Sequence, residues 1–314
     1  MTFFDGSGAL DGDGGLDRLT PLLFETMGGV TVRPWRLSLT TLGVRASVPM
    51  LRGVWGAALR DADPGLYEQV FVGAAEHRGP EAVRLPRYVL RAAPPDPDDA
   101  PALDFITIGL EAAQDAALLA AWAVALRRGL GPDRVPCDLK AATLLSPNGR
   151  LRAGAEEGAE ANSEPGWSLD QARWPLAGDP PVTPCRLVFD APLRILRQGR
   201  LVTAPTLTDI VLSASRRLAA FLPPSLAGRA SGLAEAARAV ASVTPQRPWQ
   251  GARTDLVRWS SSQQAEVEMR GVSGSLALPR GPGSLWPLLL AGTWLHLGKG
   301  TVFGLGQPAV EPLD

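Results

Sequence analysis

The strongest constraint on the fold is an order of elements that occurs twice, once on each side of a break at residues 147–184. In the first half a strand pattern over 30–40 (VTVRPWRLSLT) opens the series, with Pro34 expected to put it at a sheet edge or bulge. Residues 51–60 (LRGVWGAALR) follow as a short helix with Leu51, Trp55 and Leu59 on one face. The Pro-rich acidic segment 92–101 reads as an exposed turn. A strand over 103–110, a helix over 112–128 closed by Gly129, and a strand over 137–145 complete the half. The second half has a strand at 186–190, a hairpin turning at Gly199, and a helix over 207–222 capped by Thr206. An Ala-rich helix at 232–241, short strands at 265–269 and 275–278, and a glycine-rich tail then follow. Two halves of this kind suggest a duplicated α+β unit, each a sheet with helices on one face. The likeness is one of pattern only, with no close sequence repeat.

The break itself, rich in Gly, Ala and Glu and ending in GDPPVTP, is either an inter-domain linker or a disordered insertion. It divides the chain into an N-terminal domain (1–146), the linker or insertion (147–184) and a C-terminal domain (185–314). A length of 314 residues with 45% hydrophobic content is enough for a core in each domain and excludes extensive disorder. Two cysteines, Cys137 and Cys185, exclude a disulfide scaffold and are expected to be reduced, half-buried thiols. The start, MTFFDGSGALDGDGG, has neither a basic region nor a long apolar run, so no signal peptide is expected. No apolar stretch approaches the ~20 residues of a membrane helix, and the chain reads as cytoplasmic.

Net charge is −1, but it is unevenly spread. Residues 191–314 carry 12 Arg and one Lys against three Asp and four Glu, a balance of +6, which leaves −7 for the rest. A basic second half points to an anionic ligand there, against the plainer reading of a solvated surface of mixed charge.

The segment GTWLHLGKGTVFGLGQ (292–307) is the most informative motif, with five glycines and Lys299, one of two lysines in the chain. Glycines so spaced let backbone approach a ligand and turn N–H groups toward anionic oxygens, and an ammonium suits phosphate. Three sharper motifs fail. A P-loop needs one residue fewer between Gly292 and Gly298 and a hydroxyl where Gly300 stands. A dinucleotide fingerprint would need glycine at Phe303 and a helix afterwards. A nucleophile elbow at Gly271 and Ser273 has Ser275 in place of its closing glycine. Only two histidines exist, His77 and His296, neither at metal-ligand spacing, so no metal and no cofactor are expected. His296, three residues before Lys299, could serve the same phosphate or be a structural residue. His77 lies in a polar segment and could be an ordinary surface histidine.

Five segments occurring together carry a resemblance: HLGKGTVFGLG in the tail, RWSSSQQAEVEMRGVSGSL (258–276), LRGVWGAALR (51–60), LPRYVL (85–90) and LRRGLGPDRV (126–135). The chain resembles the CRISPR repeat-RNA-processing endoribonucleases of the RAMP superfamily (the Cas-six type) over about residues 30–312. The resemblance implies an α+β fold of two tandem ferredoxin-like (RRM-like) domains with a C-terminal glycine-rich loop. It implies metal-independent cleavage of precursor CRISPR RNA within its repeats, a 2′-hydroxyl attacking the neighbouring phosphate. The partners it implies are the repeat RNA, the mature CRISPR RNA and other subunits of an effector complex. By motif match, Gly298, Gly300, Thr301, Gly304 and Gly306 would contact RNA, with Arg258, Ser260, Ser261, Gln263 and Arg52. His296, His77, Lys299 and Tyr88 are the catalytic candidates, with Tyr67 another possible helper to His77.

Imidazole titrates near neutral pH and can move a proton, while a cation offsets charge on a pentavalent phosphate. Departures from the family pattern are specific: Ser262 stands in place of an arginine and Ala57 in place of a helix histidine. The segment 60–71 also lacks the cysteine cluster of many relatives. These departures keep a second function open, a non-catalytic RAMP subunit that grips the RNA handle. A third is a single-strand RNA module stacking bases on sheet aromatics, but only two Tyr and eight Phe are present. Trp122, Trp286 and Trp294 stand in apolar contexts and read as core.

Overall fold

A computed structural model describes residues 16–40, 46–73, 85–93, 101–151, 165–260 and 265–313. Helix α1 (Leu16–Gly28) leads into β1 (Thr31–Leu39), α2 (Val48–Ala62), the single turn α3 (Pro64–Tyr67), β2 (Tyr88–Ala92) and β3 (Ala102–Ile108). Then come α4 (Asp115–Arg127), β4 (Leu139–Leu144) and the two-residue β5 (Trp167–Ser168). The strands order as β2–β3–β1–β4, every pair antiparallel, with β5 pairing the start of β1. The second unit runs β6 (Cys185–Leu193), the hairpin β7 (Leu196–Arg197) and β8 (Arg200–Leu201), α5 (Leu207–Ala219) and α6 (Ala230–Val243). It ends with β9 (Gln250–Ser260), β10 (Ala265–Leu278), α7 (Trp286–Leu295) and β11 (Ala309–Pro312). Its sheet orders as β11–β6–β10–β9, again antiparallel. In both sheets the first and third strands of the unit lie centrally, flanked by the fourth and the second. This is the ferredoxin-like arrangement, present twice.

Local chemistry explains the helices. Ser47 caps α2 by accepting from the Met50 N–H, Pro49 occupies the first turn, and Leu51, Trp55 and Leu59 are buried. Trp55 stacks on Trp122 of α4, ring centroids 5.1 Å apart, and so joins the two helices over one face of the first sheet. Thr206 and Asp209 form a capping box on α5, whose Leu207, Ile210, Val211, Ala214 and Leu218 are buried.

The first sheet is covered on both faces. Trp35, Leu37, Leu90 and Phe105 pack under α2 and α4. On the opposite face, Val32, Val89, Ile106 and Ile108 share a core with Trp294 and Leu295 of α7 and with α1. The face on which an RRM-like sheet would stack bases therefore carries aliphatic residues and lies against the second unit. That arrangement disfavours the base-stacking reading.

Three expectations are corrected. Strand β1 is central, between β3 and β4, which excludes the edge of the two expected placements; its one register shift against β4 falls between Ser38 and Leu39, away from Pro34. Pro34 is accommodated because β5 pairs Thr31 and Val32 while β4 begins at Trp35, leaving a gap where its missing N–H goes unneeded. Its carbonyl still accepts from the Leu145 N–H at 2.8 Å. The short strands expected at 265–269 and 275–278 are one strand, β10, bent by a register shift between Val272 and Gly274. Cys137 and Cys185 are free but fully rather than half buried, and burial pushes the Cys185 thiol up to about 11. Of the expected linker, residues 152–164 lie outside the described residues, as does most of the turn expected at 92–101; Trp167 pairs with β1 and joins the shared core. Among the described residues, no helix is long and apolar enough to cross a membrane.

Candidate nucleic-acid interface

The glycine-rich tail folds into a tight turn whose amides are largely satisfied within the protein. Leu297 N–H donates to the Gly306 carbonyl at 2.8 Å, and Gly306 N–H donates to Pro192 at 3.1 Å. Lys299 N–H donates to the Arg194 carbonyl at 2.8 Å, and Gly298 N–H to Ser213 Oγ at 2.8 Å. Phe303, Gly304 and Leu305 close the turn on the Gly300 and Thr301 carbonyls. The glycines serve conformation and close packing more than amide presentation. Gly298 has φ +77°, and a Cβ there would lie 2.5 Å from the Arg194 carbonyl oxygen. Gly306 has φ +68°, and a Cβ would meet the Leu297 oxygen at 1.9 Å. Gly304 sits against Val48 of α2 and the Leu90 carbonyl of β2, so the turn braces the second unit against the first. Thr301 is buried, and Gly300 and Gly304 are half-buried.

Beneath the turn lies a polar cluster. His296 ends α7 at φ +56° and is 0% exposed, with Nδ1 3.2 Å from the Leu305 carbonyl oxygen and Nε2 without a partner. Burial holds its pKa well below the ordinary imidazole value, and the Arg91 and Arg217 charges push the same way. The ring is therefore neutral at physiological pH, and donation from Nδ1–H to Leu305 is the consistent tautomer. Arg217, lowered by burial to about 10, donates from Nε to the Leu295 carbonyl at 3.0 Å. Arg91 crosses between the units, paired with Asp104 at 2.9 Å and donating to the Thr293 carbonyl at 3.1 Å. Its guanidinium lies over the Trp294 ring, 5.1 Å from the centroid.

The remaining expected site residues fall in distinct places. Lys299 is exposed on the outer side of the turn. Arg52 of α2 stacks between Phe303 of the turn and Phe71, 4.8 and 5.1 Å from their centroids. Tyr88 is 0% exposed behind Arg52; burial pushes its phenol far above the ordinary range, and the Arg52 charge offsets part of that. Tyr67, the other tyrosine considered, stacks on Phe71. The structure thus gathers Lys299, Arg52 and the turn along one seam, with His296 and Tyr88 inside it. Arg258 and Ser260 lie on β9 opposite Val267 and Ala265. His77, Ser261 and Gln263 lie outside the described residues. Among the described residues, no three of His, Cys, Asp and Glu come together as metal ligands.

Sequence reasoning missed an arginine-lined recess of about 380 Å³ beside the turn, walled by Arg194, Arg200, Arg253 and Arg270. Its only sequence signal was the basic balance of the second half.

Residues 187–308 match the model of the CRISPR-associated endoribonuclease Cas6 family. A Thermus thermophilus Cas6 in a product complex superposes with TM-score 0.54 at 17% identity, over 89% of this chain and 99% of that one. A second Cas6, in a substrate-mimic complex, gives 0.50 at 19% identity, over 90% and 100%. A partial Cas6-RT-Cas1–Cas2 complex gives 0.51 at 14% identity, covering 90% of this chain and 46% of that one. No curated protein sequence matches the chain. The tandem ferredoxin-like fold is thus shared with solved CRISPR-associated Cas6 structures. The family signature is confined to residues 187–308, within the second unit.

Proposed function

We propose that this protein matures CRISPR RNA, binding precursor repeat RNA and cutting it within the repeat. The observation that carries the reading is the Cas6 family match over 187–308, the segment that also holds the basic recess and Lys299. In the proposed reaction the 2′-hydroxyl of one nucleotide loses its proton and attacks the adjacent phosphorus. The bond to the 5′-oxygen breaks, and that oxygen takes up a proton. The products are a 2′,3′-cyclic phosphate and a 5′-hydroxyl. The RNA itself supplies the nucleophile, and in this reading side chains rather than a metal move the protons and offset the charge.

Lys299, solvent-facing at the turn, offsets the charge that grows on the phosphate oxygens. His77 is the candidate for proton transfer on the N-terminal side. His296 and Tyr88, wholly buried, support the seam from within: His296 fixes the turn and Tyr88 backs Arg52. The product stays bound, and the protein remains with the mature RNA in an effector complex. Incubation of purified protein with repeat RNA in EDTA, followed by end mapping, tests the reading. Cleavage leaving a cyclic phosphate is expected; intact RNA, or cleavage only with added metal, contradicts it.

One observation favours a second reading, a non-catalytic subunit that holds the RNA handle. Of the two histidines, His296 has no solvent-accessible nitrogen. Under that reading the protein binds repeat RNA tightly and leaves it whole.

A further inference from the structure

We infer that Arg52 of α2 is a positioning residue for Lys299: its guanidinium docks Phe303, and with it the glycine turn, on the first unit. The inference rests on the proposed cleavage and deepens it, because Arg52 acts on the reaction through Lys299. Lys299 stands where the two units meet. On one side it is tied to the second unit, its N–H donating to the Arg194 carbonyl at 2.8 Å. On the other side the chain enters the single turn Thr301–Phe303, bounded by Gly300 and Gly304. That turn is placed by what its side chains touch. Val302 joins the core under α2, and Phe303 lies beneath the Arg52 guanidinium, 4.8 Å from ring centroid to Cζ.

Arg52 is itself referred to a fixed wall. Its guanidinium also lies over Phe71, 5.1 Å from that centroid. Phe71 is buried among Trp55, Tyr67 and Tyr88, with ring centroids 4.9, 4.6 and 4.9 Å away. A Cβ on Gly56 would come within 2.7 Å of its ring, so α2 leaves Phe71 no room to shift. The position of Phe71 thus reaches Phe303, and then Lys299, by way of one side chain. The Arg52 Nε is buried without a hydrogen-bond partner, and among the described residues no carboxylate pairs with the guanidinium. An apolar side chain would fill this space with no charge to desolvate. What arginine adds is a flat cation attracted to both ring faces, which fixes the orientation of the turn as well as its distance. Lysine carries the charge but not the plane, so it cannot make the same contact.

The test measures single-turnover cleavage of repeat RNA by the full-length protein, and its affinity for the same RNA made non-cleavable by 2′-deoxy substitution. Arg52→Lys keeps the charge and loses the plane, whereas Phe303→Leu removes the ring and leaves Arg52 in place. Melting temperatures verify folding, and if Arg52→Lys does not fold, Phe303→Leu carries the test from the turn side. Each variant is expected to slow cleavage at least about tenfold while affinity changes less than about threefold, since a misplacement of about 1 Å can cost about 10²-fold in rate. Added to Lys299→Ala, neither should slow cleavage more than about twofold further, because a residue acting through Lys299 then has nothing left to position. A wild-type rate in either variant, or losses that multiply with that of Lys299→Ala, overturn the positioning role while leaving the cleavage reading intact. Equal losses of rate and affinity overturn it as well, and make Arg52 a residue of uniform binding. A wild type that leaves the RNA whole overturns this role and the proposed cleavage together.

Discussion

His296 Nδ1 stands 3.2 Å from the carbonyl oxygen of Leu305, across the mouth of the glycine turn, in a site no solvent reaches. One ring thus ties the end of α7 to the far side of the turn, nine residues on. It does so as a neutral imidazole, because burial and two neighbouring arginines oppose protonation.

This relationship fixes a pH dependence. The unfolded chain protonates His296 near its ordinary value of about 6.5, whereas the folded chain resists protonation until well below it. The unfolded state therefore binds more protons as pH falls through that window. Stability from this group is intact above about pH 6.5 and declines below it, by up to about 1.4 kcal/mol per pH unit, until the folded value is reached. Urea unfolding at pH 7.5 and 5.5 should show the decline in wild type and a smaller one in His296→Asn. The same variant should lose stability at both pH values while its cleavage rate keeps the wild-type pH profile. A pH profile shifted by the variant would instead make His296 a participant in proton transfer.

The turn's glycines give a second prediction. Gly298→Ala places a methyl 2.5 Å from the Arg194 oxygen at φ +77°, whereas Gly149→Ala has the same φ, +77°, with open space around it. Backbone strain alone costs about 1 kcal/mol or slightly more at each position. Only Gly298→Ala must also shift the backbone that positions Lys299. Thermal unfolding should show a drop at Gly298 at least twice that at Gly149, with RNA affinity lowered only by the former. Equal drops would mean the turn yields without disturbing its surroundings.

Much of the fold was legible from sequence, and for clear reasons. The Leu51–Trp55–Leu59 spacing and the Thr206 cap mark α2 and α5 because one buried stripe and one local hydrogen-bond pattern suffice. Helix α1 escaped notice because Pro21 interrupts its pattern, yet it packs into the core through Leu19 and Leu23. Strand β9 escaped because an edge strand as polar as QGARTDLVRWS lacks alternation. In the candidate site, the glycine spacing disclosed a turn but not which way its amides face. That is set by Pro192, Arg194 and Ser213, which lie from 85 to more than a hundred residues away in sequence. The arginine recess was illegible for the same reason, since only the β9–β10 register brings Arg253 and Arg270 together.

Lys299 carries the third prediction. Its side chain is exposed, so Lys299→Ala should leave the melting temperature within about 1 °C. If its ammonium acts on the phosphate as charge builds, single-turnover cleavage should slow by roughly 10²-fold with a much smaller change in affinity. Parallel losses in rate and affinity would instead assign Lys299 to uniform binding.

The most direct test concerns the nucleophile. Two repeat RNAs are compared in EDTA, one all-ribose and one with a single 2′-deoxy residue immediately 5′ of the scissile phosphate. The all-ribose RNA should be cut to a 2′,3′-cyclic phosphate, while the deoxy RNA binds with equal affinity and stays whole. Cleavage of the deoxy RNA at the same bond would contradict in-line attack by the RNA's own hydroxyl.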